Sequence, residues 1–221
     1  MRSLPLIAVT TGNRDNFPNE PHLYIQAIQK AGGMAEFVYP NSRKNGLFDH
    51  FDGFLIPGGK DIHPLLYNED QRYEISHEEQ KRTDFELYLL KEATKRKKPV
   101  LGVCYGMQVI NLFFKGSLYQ DIQLQKKDSL DHRKGLHSLA VHANPFLESG
   151  DFEVNSSHHQ AVKVIGKGLT PFAYADDGII EGIYLNDYDF LLGVQWHPER
   201  MNTELSQAVF SSFMKECHDP K

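Results

Sequence analysis

Cysteine is nearly absent from this chain: its 221 residues hold two, Cys104 and Cys217. Two thiols cannot build a disulfide framework, so a reducing compartment is the simpler expectation. A basic excess is also missing. Lys and Arg total 24 against 29 Asp and Glu, a formal net charge of -5. Nucleic-acid binders carry a cationic footprint, so no nucleic-acid partner is expected. No stretch approaches the roughly 20 apolar residues of a membrane span. The short run Leu6-Ile7-Ala8-Val9, preceded by Pro5, suits a first strand better than a secretory signal. No membrane association and a cytoplasmic location are the resulting expectations. Internal repeats and low-complexity tracts are absent. So are Cys-x-x-Cys and His-Glu-x-x-His spacings, and the adjacent His158-His159 would point apart on a strand. No metal ligand and no cofactor is assigned.

What is present fits one α/β domain over residues 1–221, large enough for a well-buried core. Strand signals cover Leu6–Thr10, Glu36–Tyr39, Gly53–Ile56 and Pro99–Val103 in the first half. Helical spacing covers His22–Ala31, Glu78–Lys97 and Met107–Phe114. In the long helix Phe85, Leu89 and Ala93 share a face with Leu90, and the basic run Lys95–Lys98 reads as a solvated helix end. Strands alternating with helices imply a mostly parallel sheet covered on both faces. Further strands at His137–His142, Gly182–Leu185 and Leu191–Gln195 suggest an added antiparallel portion. Thr203–Lys215 reads as a closing helix, and Asp121–Gly135 as a polar surface loop.

The chemistry centres on Gly102-Val103-Cys104-Tyr105-Gly106, between a buried strand and a helix. This is a nucleophile-elbow pattern with cysteine in place of serine. A sharp turn crowds the backbone, and glycines two residues either side relieve it. The helix N-terminus favours the thiolate, and the Tyr105 N–H is aimed at a developing oxyanion. Alone, the pattern fits a buried structural cysteine equally well. A nucleophilic thiol also needs a base. Gly193-Val194-Gln195-Trp196-His197-Pro198-Glu199 supplies His197, with Glu199 to orient its imidazole. Gly58-Gly59 follows a buried strand at the carboxyl edge where open sheets bind ligands, so Gly59 is a candidate oxyanion donor rather than only a turn. Asp61 could cap a helix, and Cys217 reads as a packing residue.

Taken in order, Pro57-Gly58-Gly59, Gly102–Gln108 and Gly193–Glu199 resemble class I glutamine amidotransferases over nearly the whole chain. Asp52–Tyr67, Gly116–Asp121 and Asn155–Val162 resemble more closely the γ-glutamyl hydrolases of the peptidase C26 type. The resemblance implies a three-layer flavodoxin-like fold. It implies a Cys104, His197, Glu199 triad acting through a glutamyl thioester, with oxyanion donors at Gly59 and Tyr105. It also implies a glutamyl head held near Gln108, Ser157, His159 and Gln160, partly by backbone groups. His158 is either a hydrogen-bonding wall of that pocket or a structural histidine. Arg14, Tyr24, Tyr105 and the 121–135 loop are candidates for the leaving-group wall. Two residues depart from the family pattern: Tyr105 where Arg often follows the cysteine, and Thr83 after Arg82 where Asp is usual. The expected partner is a small γ-glutamyl amide. The alternatives are a glutaminase subunit feeding ammonia to a separate synthetase, and a binding module with dead chemistry. A homo-oligomer is compatible with the sequence.

Overall fold

The computed structural model describes residues 4–12, 20–40 and 46–218. The first half alternates as the sequence suggests: β1 (Leu6–Thr10), α1 (Pro21–Lys30), β2 (Met34–Val38), a short α2 (Leu47–His50), β3 (Gly53–Ile56), α3 (Gln80–Lys95), β4 (Val100–Val103) and α4 (Tyr105–Phe113). The second half runs β5 (Ser117–Tyr119), α5 (Ile122–Gln125), β6 (Leu136–Val141), β7 (Gly150–Asn155), β8 (Ala161–Val164), β9 (Leu169–Ala175), β10 (Ile180–Leu185), β11 (Leu191–Val194) and α6 (Glu204–His218).

These strands form a single sheet in the order β2-β1-β3-β4-β11-β10-β9-β6-β7, with β8 pairing to β10 and β5 to β8. The pairs β1–β2, β1–β3, β3–β4 and β4–β11 are parallel. From β10 onward the pairing is antiparallel. This is the mostly parallel sheet with an antiparallel extension that the sequence implies.

Strands β3, β4 and β11 are buried at every position, which explains their unbroken apolar character. Alternation sends Leu55, Leu101, Val103, Leu192 and Val194 to one face, against Tyr24 and Ile28 of α1 and Val209 and Phe213 of α6. Phe54, Ile56, Val100 and Leu191 face the other way, onto Leu89, Leu90 and Ala93 of α3 and Val109 and Ile110 of α4. The result is three layers. Cys217 packs into this core: a Cβ on Gly53 would meet its sulfur at 2.5 Å.

One departure bears on the site. Helix α3 buries Arg82, Thr83 and Glu86 as well as its apolar face. Its N-terminal half lies under the loop that leaves β3, which supplies partners for these polar groups. The segment read as a surface loop after Asp121 instead begins with α5, capped by the Asp121 carboxylate accepting from the Leu124 N–H at 3.1 Å.

Candidate active site

Three adjacent parallel strands end at the same edge, and each delivers one part of the site. Strand β4 leads into Cys104, which stands at φ 52°, ψ -107° as the N-cap of α4. A side chain held there stores about 1–3 kcal/mol of strain. Both flanking glycines are required by contact. A Cβ on Gly102 would sit 2.7 Å from the Gly106 carbonyl carbon, and one on Gly106 would strike the Ile56 carbonyl. The turn is locked to the neighbouring strand by the Cys104 N–H donating to Val194 O at 2.8 Å. The Tyr105 N–H is unsatisfied within the helix and lies close enough to the Cys104 thiol to lower its pKa.

Because β11 pairs with β4 in parallel register, Val194 opposite Val103, the chain leaving β11 brings His197 beside Cys104. The two side chains lie close enough to shift each other's ionisation. Behind the ring, Nδ1 of His197 lies 2.7 Å from the Glu199 Oε1. Burial alone would raise the thiol pKa, but the His197 imidazolium, His158 and the Tyr105 N–H hold it below the ordinary range. Burial alone would lower the His197 pKa, but Cys104 and Glu199 hold it well above. Both directions favour a thiolate–imidazolium pair.

Residues that the sequence did not single out hold this geometry. Asn155 clamps the His197 backbone from both sides, accepting its N–H at 2.8 Å and donating to its carbonyl at 2.9 Å. Gln195 donates to the Cys104 sulfur at 3.5 Å. Arg82 lies buried beneath the loop after β3. Its guanidinium reaches Pro57 O at 3.2 Å, Gly58 O at 3.1 Å, Glu78 at 2.8 Å and Glu86 at 2.9 Å. It also stacks 4.5 Å from the centre of the Tyr105 ring. A Cβ on Gly59 would meet Arg82 and Glu78 at 2.7 Å, so only glycine fits above this network. The Gly59 N–H has no acceptor among the described residues. The Arg82–Glu86 spacing was visible as an i, i+4 pair; its burial was not.

The peptidase C26 family profile matches residues 5–199. The chain belongs to the peptidase C26 family. A Schizosaccharomyces pombe protein whose name assigns it provisionally to the glutamine amidotransferases is 38% identical, over 88% of this chain and 79% of its own length. The γ-glutamyl-γ-aminobutyrate hydrolase PuuD of Escherichia coli is 28% identical, over 88% of this chain and 84% of its own length. The glutaminase domain of a Trypanosoma brucei CTPS, solved with bound acivicin, superposes with a TM-score of 0.70. That match covers 97% of this chain and 94% of the domain at 16% identity, and it shows a shared class I glutamine amidotransferase fold.

Within this C26 chain, the residues suggested for substrate contact occupy distinct environments. Ser157 is exposed. Gln108 spends both amide hydrogens internally, on Gln160 O at 2.9 Å and Gln195 Oε1 at 3.1 Å. Gln160 grips the backbone of Ile62, accepting its N–H at 2.8 Å. His159 bridges Asp61 at 2.7 Å and Asp121 at 3.4 Å, and the hydrogen bond to Asp61 holds its pKa above the ordinary range. Asp61 is thus an ion-pair partner rather than a helix cap. His158 is buried, with Nδ1 against Gln160 O at 3.0 Å and Nε2 3.4 Å from Glu181. Both ring nitrogens face protein oxygens, so it does not form a pocket wall.

Two leaving-group candidates are also relocated. The Tyr105 side chain is buried, its hydroxyl 2.9 Å from Thr83 Oγ1. Tyr24 is buried too, and its hydroxyl accepts the Gly58 N–H at 3.1 Å while lying against Glu199. Both brace the site rather than line it. Arg14 lies outside the described residues.

Proposed function

We propose that this chain is a free-standing hydrolase of γ-glutamyl amides, using Cys104 as nucleophile, His197 as acid and base, and Glu199 as the group that orients the imidazole. The observation that carries the reading is the buried Cys104 brought beside His197 by the β4–β11 pairing, with Glu199 at 2.7 Å behind the ring. The family membership and the named hydrolase relative support the same class of substrate.

The thiolate attacks the γ-carbonyl carbon, forming a C–S bond as the carbonyl π electrons move to oxygen. The oxyanion accepts from the N–H groups of Gly59 and Tyr105. Preorganised donors of this kind are each worth about 10²–10³ in rate. The His197 imidazolium gives its proton to the leaving nitrogen, the C–N bond breaks, and a glutamyl thioester remains. Neutral His197 then takes a proton from water, the hydroxide oxygen attacks, and collapse breaks the C–S bond to release glutamate and restore the thiolate. The glutamyl head is held by the Ser157 hydroxyl and by the Ser157 and His159 N–H groups, which have no acceptor among the described residues. Gln108 contributes its carboxamide oxygen.

The test is a panel of γ-glutamyl amides presented to the purified chain, scored by released glutamate. Hydrolysis of at least one amide, abolished in Cys104→Ala, is expected. Undiminished release in that variant would overturn the assignment. Glutamine turnover that stays negligible until a synthetase is added would replace it with the glutaminase-subunit reading.

A further inference from the structure

Behind the candidate active site, the antiparallel half of the sheet gathers three histidines around one glutamate. Glu181 on β10 is fully buried, and its Oε1 lies 3.6 Å from His132 Nδ1, 3.9 Å from His137 Nε2 and 3.4 Å from His158 Nε2. The ligand atoms of His132, His137 and Glu181 all fall within 4.8 Å of one another. Ligand atoms on a tetrahedral zinc ion, bound at about 2.0–2.2 Å, stand about 3.4 Å apart. The spacing therefore leaves room for an ion at the centre.

The tautomers point the same way. Each histidine has its outer ring nitrogen placed to donate to an oxygen: His132 Nε2 to Asp177 at 3.0 Å, His137 Nδ1 to Ser138 O at 2.9 Å, and His158 Nδ1 to Gln160 O at 3.0 Å. That commitment leaves a lone pair on the inner nitrogen of each ring in its neutral form, and a carboxylate or carbonyl behind a histidine is the usual support of a metal ligand. The inner atoms are also unsatisfied. His137 Nε2, His158 Nε2 and both Glu181 oxygens are buried with no hydrogen-bond partner among the described residues. His132 Nδ1 has Ser156 Oγ at 3.4 Å, but that hydroxyl gives its proton to His132 O at 2.8 Å. A buried carboxylate is costly unless a cation sits beside it, here either a proton on the His158 ring or a metal ion among the inner atoms.

We propose that His132, His137 and Glu181 bind a zinc ion. Imidazole and carboxylate donors suit zinc, and the three donors converge in the protein interior, with Glu181 fully buried. The donors come from the segment before β6, from β6 and from β10. The ion would therefore staple the antiparallel extension together, and the His132 carbonyl, which accepts the His158 N–H at 2.8 Å, ties the 156–160 segment to it. Sequence spacing gave no hint of it because the donors are scattered along the chain.

Cys104→Ala protein, chosen so that the thiol cannot compete for metal, would be stripped with chelator and titrated with zinc alone. Metal content and melting temperature would both be read. Equimolar zinc and a higher melting temperature are expected. Adding Glu181→Gln, or His137→Gln if the first variant does not fold, should abolish both. Cobalt in place of zinc should give tetrahedral d–d bands without thiolate charge transfer. Failure of the stripped protein to take up zinc would overturn the proposal, leaving a proton shared between His158 and Glu181. So would equal uptake by a folded Glu181→Gln variant. Neither result depends on hydrolytic activity.

Discussion

Replacing Arg82 by Met tests how the loop bearing Gly59 is held. Arg82 and Glu86 are 3% and 0% exposed, and their charges meet at 2.9 Å. Glu86 Oε1 also accepts from the Thr10 hydroxyl at 2.6 Å, while Oε2 has no partner among the described residues. Methionine fills the space of the Arg stem but strands this carboxylate. Removing one partner of a buried pair costs about 3–5 kcal/mol. That is a large share of the ~5–15 kcal/mol by which a domain is stable. Urea denaturation should show this loss for Arg82→Met, and Arg82→Met/Glu86→Gln should recover about 1–3 kcal/mol, because the two sites are coupled. Arg82→Lys keeps a charge but cannot fork to Pro57 O and Gly58 O. It should stay folded and lower kcat by about 10- to 100-fold, the scale expected when a reacting geometry loosens. A single-variant loss below about 1 kcal/mol, or a double variant less stable than the single, would refute the reasoning about the buried carboxylate.

Cys104→Gly should be more stable than Cys104→Ala by about 1–2 kcal/mol in urea melts, because φ 52° is strained for any side chain; equal stability would show that the elbow stores no strain. The pH dependence of Cys104 alkylation follows from the two shifts. With the thiol pKa lowered by His197, the thiolate persists below the ordinary thiol range, so alkylation by iodoacetamide should begin at lower pH than for a free thiol. His197→Ala should move that onset upward, and an unmoved onset would refute the ion pair. Glu199→Gln should lower turnover less than Cys104→Ala, since the carboxylate only orients and stabilises; steady-state glutamate release compares the two.

How much of this was legible in the sequence depends on where each residue type is dictated locally. Strands β1 and β3 were readable to the residue, and β4 and β11 to within one, because the strands at the centre of a parallel sheet are continuous apolar runs. Strands β7 and β9 were not. β7 is an edge strand with exposed Gly150, Asp151 and Glu153, and its polarity reads as loop. β9 contains Pro171, whose missing N–H argues against a strand; the structure accommodates it next to register shifts in the β9–β10 ladder. The elbow and the His197-Pro198-Glu199 run were legible because a tight turn and a base–carboxylate pair restrict residue types within a few positions. The bracing roles of Tyr24, Arg82 and Asn155 were not, because each acts on a loop far away in the chain. The same holds for His132, His137, His158 and Glu181, which only the antiparallel ladder brings together.

The most direct measurement is acid quenching during turnover of a γ-glutamyl amide, followed by peptide mapping for glutamyl acylation. A glutamyl group on the peptide containing Cys104, accumulating in the wild type and absent from Cys104→Ala, is expected. Glutamate release with no acylated Cys104, or with acylation at Cys217, would contradict the thioester route.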